Sequence, residues 1–352
     1  MTDINRIIQK LSVEEKVAQL FITTPEALLK TDEPVVKFSE ELEKAIKSVP
    51  IGGILYFGRN LIDAKQTISL LKSIQNTCVS KNGIPPFQCV DEEGGYISKV
   101  ANNNAFGVKN IGTPTELSKK NDLEIIKESG LYVGRYLSKL GFNVDFAPCA
   151  DVYTNEKNEV LETRTYGNDP QKVAEMSVAF ANGLSSCNII SSFKHFPGHG
   201  DAKGDSHNEA VYVDKTIRQL YNCELIPFVN GIKNRIPMIM VSHISLPRVL
   251  RSNVPASLSK RIVTGLLRDE LQYKGVIVTD SLKMKAVSNK YSSKEATKKA
   301  IKAGVDLILR PIDFFEAYDG LVQEVMSGSI EESRIDDSLR RVLKLKKKYQ
   351  LM

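Results

Sequence analysis

The sequence predicts an α/β fold, a single (β/α)8 barrel with a C-terminal helix, and three observations lead there. Eight short apolar runs alternate with helical stretches along 352 residues. Polar residues gather just after those runs, where a barrel of this kind places its chemistry. No G-x-G-x-x-G or G-x-x-x-x-G-K-[ST] motif follows any run, which disfavours the open doubly wound alternative.

The runs span residues 17–23, 53–57, 87–91, 144–152, 189–194, 238–243, 276–280 and 306–310. Helical spacing or composition fills 64–78, 123–140, 171–184, 217–233, 260–271 and 293–303 between them. Residues 330–351 read as a basic amphipathic helix whose apolar positions clasp the barrel; its charged face needs only water. No linker, repeat or low-complexity segment divides the chain, so residues 1–352 are expected to form one catalytic barrel domain.

Composition narrows the function classes. The chain is 42% hydrophobic and 26% charged, with a formal net charge of +6 and no basic block suited to a nucleic-acid groove. The first residues lack an apolar signal core, and no later segment has the length of a membrane span. Five cysteines, Cys78, Cys89, Cys149, Cys187 and Cys223, are an odd number without close pairs. That pattern argues against a disulfide framework and against structural zinc, and it suits a reducing cytoplasm. Cys89 and Cys149, inside apolar runs, read as small buried hydrophobes.

Three of the four histidines, His195, His199 and His207, fall within residues 194–207, directly after the fifth run. Gly/Pro-rich backbone carrying Lys, His and Asp is costly to bury unless those groups are paired, so this stretch reads as a ligand-facing loop. Other runs end Asp91-Glu92-Glu93-Gly94-Gly95, Ala150-Asp151, Ser242-His243 and Thr279-Asp280-Ser281. Asp151 fits a cap or a ligand equally well. Glu92 and Glu93 read as solvent-facing or loop-bracing, His243 as a hydrogen-bonded support, and His199 as a brace in its loop. A zinc site remains an alternative, since His195, His199 and His207 with Asp201 and Asp205 supply donors. Against it, the first run has no histidine pair, and Lys194 would set a cation beside the metal.

Residues 194–207 (K-H-F-P-G-H-G, then D-x-H), with 90–95, Thr163-Arg164-Thr165-Tyr166-Gly167 and Val278-Thr279-Asp280-Ser281-Leu282-Lys283-Met284, resemble glycoside hydrolase family 3. The likeness is to its bacterial β-N-acetylglucosaminidase branch and covers nearly the whole chain. It implies a retaining, exo-acting hydrolase that removes terminal N-acetylglucosamine from cell-wall muropeptides or chitooligosaccharides. By that resemblance Asp280 is the nucleophile, which splits one hard displacement into two easier ones through a covalent glycosyl-enzyme. His207 is the general acid and base with Asp205 as its partner, a suitable pairing because imidazole titrates near neutrality. Lys194 or another nearby cation would favour the charged form of Asp280.

The resemblance also assigns Asp91, Arg164, Lys194 and His195 to the hydroxyls of the terminal sugar. Where the family has Arg-Val-x-Arg after its Gly-Gly, this chain has Tyr96-Ile97-Ser98-Lys99. Lys99 keeps the charge for substrate binding and loses the planar fork, while Tyr96 suits stacking or loop packing. No cofactor and no metal are expected, and the partner is a small carbohydrate met by a soluble cytoplasmic monomer. Other readings are a phosphorylase, a family member preferring β-glucosides or β-xylosides, and an inactive sugar-binding protein.

Overall fold

The structure, a computed structural model, describes residues 3–203 and 211–352. Its strands are β1 (Phe21–Thr23), β2 (Gly53–Leu55), β3 (Phe87–Val90), β4 (Glu92–Gly94), β5 (Ile97–Ser98), β6 (Val144–Asp145), β7 (Ile190–Phe196), β8 (Met238–Val241), β9 (Val276–Thr279) and β10 (Ile308–Leu309). The pair β4 and β5 is a small antiparallel hairpin; the other eight are parallel, in the order β10-β1-β2-β3-β6-β7-β8-β9. A bridge between Val278 and Leu307 joins the two ends of that order. Thr279 N–H donates to the Leu307 carbonyl at 3.1 Å, and Leu307 N–H donates to Ile277 at 3.0 Å. The sheet thereby becomes the expected (β/α)8 barrel.

Alternation along each strand divides the apolar residues into two cores. Ile22, Leu55, Phe87, Cys89, Val144, Phe146, Ile190, Met238, Met240, Val276, Val278, Leu307 and Leu309 fill the barrel interior. The opposite faces of the strands meet the surrounding helices. Helices Leu123–Leu140 and Pro170–Ser185 cross closely because glycines sit at the crossing: a Cβ on Gly130 would lie 2.2 Å from the Phe180 carbonyl oxygen, and one on Gly183 2.2 Å from that of Lys127.

The C-terminal helix, Glu332–Lys348, is the clasp that its pattern predicts. Val342, Leu345 and Tyr349 join the barrel-interior cluster and so plug it from below. Lys346 is buried with them. Its ammonium donates to Gln19 Oε1 at 3.2 Å and to the Gly52 carbonyl at 3.1 Å, and lies 4.7 Å from the centre of the Phe87 ring. Burial pushes its pKa down to about 7.

Four expected elements differ in detail. Residues 17 and 18 close the helix Val13–Ala18, whose capping box pairs Ser12 with Glu15, and the strand starts only at Phe21. The long run 144–152 holds two ladder residues, because Pro148 has no N–H to donate. Its backbone still follows β7: Ser192 N–H donates to Ala147 at 2.9 Å and Ala150 N–H to Lys194 at 2.7 Å. The helix expected over 217–233 breaks at Cys223 into Ile217–Asn222 and Ile226–Lys233, with Pro227 in the first turn of the second. Arg261–Glu270 is wound in π fashion, Leu271 N–H reaching the carbonyl of Leu266 at 2.9 Å. Among the described residues no helix is long and apolar enough to cross a membrane.

Candidate active site

A cavity of about 650 Å³ opens at the C-terminal ends of the barrel strands. Asp91, Lys99, Arg164, Lys194, His195 and Asp280, six of the residues expected at the site, line it together. Asp205 and His207 lie outside the described residues.

The floor is a charge network. Lys194, on β7, places Nζ 2.8 Å from Asp91 Oδ1 and 2.6 Å from Glu93 Oε1. Arg164 grips the same Glu93 with both edges of its fork, Nε to Oε2 at 2.8 Å and Nη2 to Oε1 at 2.7 Å. Burial alone would raise the pKa of Glu93, yet Arg164 and Lys194 hold it down to about 2. The two carboxylates in turn raise the pKa of Lys194 against its burial.

Glu93 is therefore not solvent-facing, as its sequence context suggests, but 2% exposed. Glu92 is also buried, and its side chain braces the loop by accepting from the backbone of Val100 at 2.8 Å and Ala101 at 2.9 Å and from the Tyr136 hydroxyl at 2.8 Å. Gly94, at φ +99°, makes the hairpin possible; a Cβ there would lie 2.5 Å from the Gly112 carbonyl oxygen.

Asp151 proves to be a brace behind the cavity wall. Its carboxylate takes the His195 ring through Nδ1 at 2.7 Å, the His195 N–H at 3.1 Å and the His199 N–H at 2.6 Å. Burial opposes its ionisation, and His195 with these donors holds its pKa below the usual carboxylate range. The bond at Nδ1 fixes the orientation of the imidazole and leaves Nε2 without a protein partner among the described residues. His199 is the loop brace its context predicts: Asn158 Nδ2 donates to its carbonyl at 2.9 Å, and burial with neighbouring His195 pushes its ring down to about 4.

Asp280 directly follows β9 and accepts the Ser281 N–H at 2.7 Å. Burial raises its pKa, but His195, His243, that N–H and Lys194 together lower it below the ordinary value. His195 and His243 thus lead, with Lys194 behind them. His243 is the expected support. Its Nε2–H donates to the Ser281 carbonyl at 3.0 Å and Nδ1 lies 2.7 Å from Ser257 Oγ, which fixes the turn that carries Asp280.

Lys99 reaches the rim without an ion-pair partner among the described residues. Tyr96 is 78% exposed and does not pack its loop. Phe57, Lys283, Lys285 and Arg310 also line the cavity, and the sequence reading missed them. Arg310 ends the eighth run, so the strand-end rule that found Asp280 reaches it as well.

Of the zinc donors expected from the sequence, Asp205 and His207 lie outside the described residues; a different set comes close enough to share an ion, and its donor chemistry suits a metal poorly. Cys149, Asp151 and His195 offer ligand atoms within 4.8 Å of one another. Asp151 is committed to three N–H donors, Cys149 Sγ donates to Asp151 at 3.1 Å, and burial pushes that thiol up, away from the thiolate a metal needs.

Comparison with known proteins shows what the whole chain is similar to. The chain is 33% identical over 330 residues to Beta-hexosaminidase A of Pseudoalteromonas piscicida, covering 88% of this chain and 55% of that one. It is 29% identical to Beta-hexosaminidase LpqI of Mycobacterium tuberculosis, over 96% of this chain and 83% of that one. A solved glycoside hydrolase family 3 beta-N-acetylglucosaminidase from Paenibacillus sp. superposes with a TM-score of 0.91 at 33% identity, covering 97% of this chain and 63% of that one. The chain thus spans little more than half the length of the first of these relatives. The model of the glycosyl hydrolase family 3 N-terminal domain matches residues 12–345, and the chain belongs to that family.

Proposed function

We propose that this chain is a retaining exo-β-N-acetylglucosaminidase that releases terminal N-acetylglucosamine from cell-wall muropeptides or chitooligosaccharides. The observation that carries the reading is Asp280, whose ionised form is favoured at a barrel mouth floored by Asp91, Lys194, Glu93 and Arg164. Relatives named beta-hexosaminidase support the N-acetylated sugar.

In this reading the terminal sugar rests on Asp91, Lys194, His195 and Arg164. Asp91 accepts from hydroxyls while Lys194, Arg164 and His195 Nε2 offer complementary groups, and mutual pairing holds them in place before substrate arrives. A carboxylate oxygen of Asp280 attacks the anomeric carbon as the glycosidic bond breaks, and the leaving oxygen takes a proton from His207, oriented by Asp205. Water then attacks the same carbon, gives its proton to His207 and frees Asp280.

The cysteines, none of them in a disulfide, support a reducing compartment, and we place the enzyme in the cytoplasm as a monomer without cofactor. Turnover of an aryl β-N-acetylglucosaminide beside the matching β-glucoside and β-xyloside tests the reading. Preference for the N-acetylated sugar with a β-configured first product is expected. Preference for either other sugar would overturn the substrate, and an α-configured first product would overturn the mechanism.

A further inference from the structure

The opposite end of the barrel, where the strands begin, holds a second cavity of about 630 Å³ between the starts of β8 and β9 and the C-terminal helix. Ile232, Ile236, Pro237, Val276 and Leu345 make its apolar wall. Arg235, Lys274, Arg341, Lys344 and Lys348 supply its charge, and no described carboxylate lines it. Arg235, Lys274, Lys344 and Lys348 are exposed and form no ion pair with any described carboxylate; Lys274 Nζ donates to the neutral Gln272 Oε1 at 3.0 Å.

Arg341 ties this rim to a buried charge imbalance. It donates to Asp306 Oδ1 at 3.0 Å, and Arg268 donates to the other oxygen of the same carboxylate. Arg334 reaches that carboxylate through Ser338, donating to Ser338 Oγ at 2.6 Å while Ser338 donates to Asp306 Oδ1 at 2.7 Å. Its other donors go to the uncharged carbonyls of Ile301 and Val305. Three guanidiniums thus gather on one buried carboxylate. Burial lowers the pKa of Arg268 and of Arg334 and the charge of Arg341 adds to that, against the favourable pull of Asp306 on both and of Asp337 on Arg334. Arg341 and Lys274 also line an adjoining cavity with Arg268 and Arg334, where these cations face Asp269 and Asp337. Asp337 is already paired with Arg340 at 2.7 Å. An anion set against Arg341 would relieve this crowding of like charges.

We propose that this end of the barrel binds a small phosphate monoester with an apolar body, the phosphate held by Arg341, Lys344 and Lys348 and the body laid against Ile232, Ile236 and Leu345. Guanidinium and ammonium groups around one concavity are the donors that a phosphate dianion takes up, and the volume falls within the roughly 300–1,000 Å³ of small-molecule sites. The apolar wall accounts for the organic part of the ester, which free phosphate lacks. A small ester also fits better than a lipid surface: Ile236 and Leu345 are buried, and none of the exposed large hydrophobic side chains lines the cavity, so nothing there can insert into a bilayer. The site lies at the far end of the barrel from Asp280 and does not depend on the hydrolase reading.

Calorimetric titration of the full chain with 1-naphthyl phosphate, inorganic phosphate and 1-naphthol at low salt tests the site. The ester should bind about tenfold or more tightly than either of the others, with an affinity that falls as salt rises. The double variant Lys344→Gln/Lys348→Gln changes two exposed side chains and should weaken the ester about fivefold or more without altering the unfolding transition. No binding of the ester at millimolar concentration overturns the site, and so does equal affinity for the ester and for 1-naphthol. Binding that survives Lys344→Gln/Lys348→Gln but falls in Lys283→Ala/Lys285→Ala overturns it as well, by placing the anion at the barrel mouth. Cosedimentation with phosphatidylglycerol vesicles and not with phosphatidylcholine vesicles, by a chain that ignores the free ester, overturns it in favour of a membrane surface.

Discussion

Replacing Glu93 by Gln keeps the outline of the side chain and removes the charge that two buried cations share. Glu93 is 2% exposed, sits 2.6 Å from Lys194 and pairs bidentately with Arg164. Its pKa falls from the ordinary 4.5 to about 2, which by linkage corresponds to about 3 kcal/mol of stability at neutral pH. Leaving one partner of a buried ion pair uncompensated costs roughly 3–5 kcal/mol. Asp91 still faces Lys194 in the variant, whereas Arg164 has no other described carboxylate within ion-pair distance, so about 3 kcal/mol is the expected loss. Urea unfolding at pH 7 measures it. The sign with pH follows from the depressed folded value: the contribution is complete above the unfolded pKa and is lost as pH falls toward 2. The gap between parent and variant should therefore narrow between pH 6 and pH 3. A gap below about 1 kcal/mol at pH 7, or one that does not narrow, would refute the reasoning.

Asp280→Asn should lower turnover of an aryl β-N-acetylglucosaminide about a thousandfold or more with unchanged circular dichroism; residual activity within tenfold of the parent would remove it as the nucleophile. Lys346 has a folded pKa of about 7, below its unfolded value, so its cost is full below pH 7 and disappears as pH rises toward 10.5. Lys346→Met should flatten that rise in urea-unfolding stability between pH 6 and 9, and a slope identical to the parent's would refute a low folded pKa. Cys78, Cys89 and Cys149 are buried, with Cys78 pushed up to about 12, so native protein should expose at most Cys187 and Cys223 to a disulfide reagent. Rapid labelling of more than two thiols would contradict the packing.

The barrel was legible because its strands are short apolar runs, most of which end in polar residues, and six residues read from those ends and from the motifs line one cavity. The errors have physical causes that can be named. Residues 17 and 18 are as apolar as a strand, but they complete a helix turn against the same core, and Ser12 with Glu15 was the available signal. Glu93 sits among acids and glycines that look solvated; its burial depends on Arg164, 71 residues away, a distance no local pattern spans. Arg310 was within reach of the strand-end rule, whereas its strained φ and its seat over Phe57 belong to the folded chain alone. The parting of Asp151 from the cavity surface has the same origin: donors from residues 195–199 surround its carboxylate and draw it into the wall.

One imidazole links the two halves of this arrangement. For Asp151 and for Asp280 alike, His195 is the largest influence that favours the carboxylate against burial. Asp151 does not line the cavity, and the ring it orients is the shorter route by which it reaches Asp280. Asp151→Asn should then lower kcat/KM about a hundredfold by loosening His195, and His195→Gln should cost at least as much. If the ring is the link, the double variant loses no more than His195→Gln alone, because an orienting group has nothing left to orient. Full additivity of the two losses would show that Asp151 acts on the reaction by another route, through the His199 backbone that it also holds at 2.6 Å. The pH profile separates the two routes further: only loss of orientation at His195 removes a favourable influence on the Asp280 carboxylate, so only that route moves the acid limb upward.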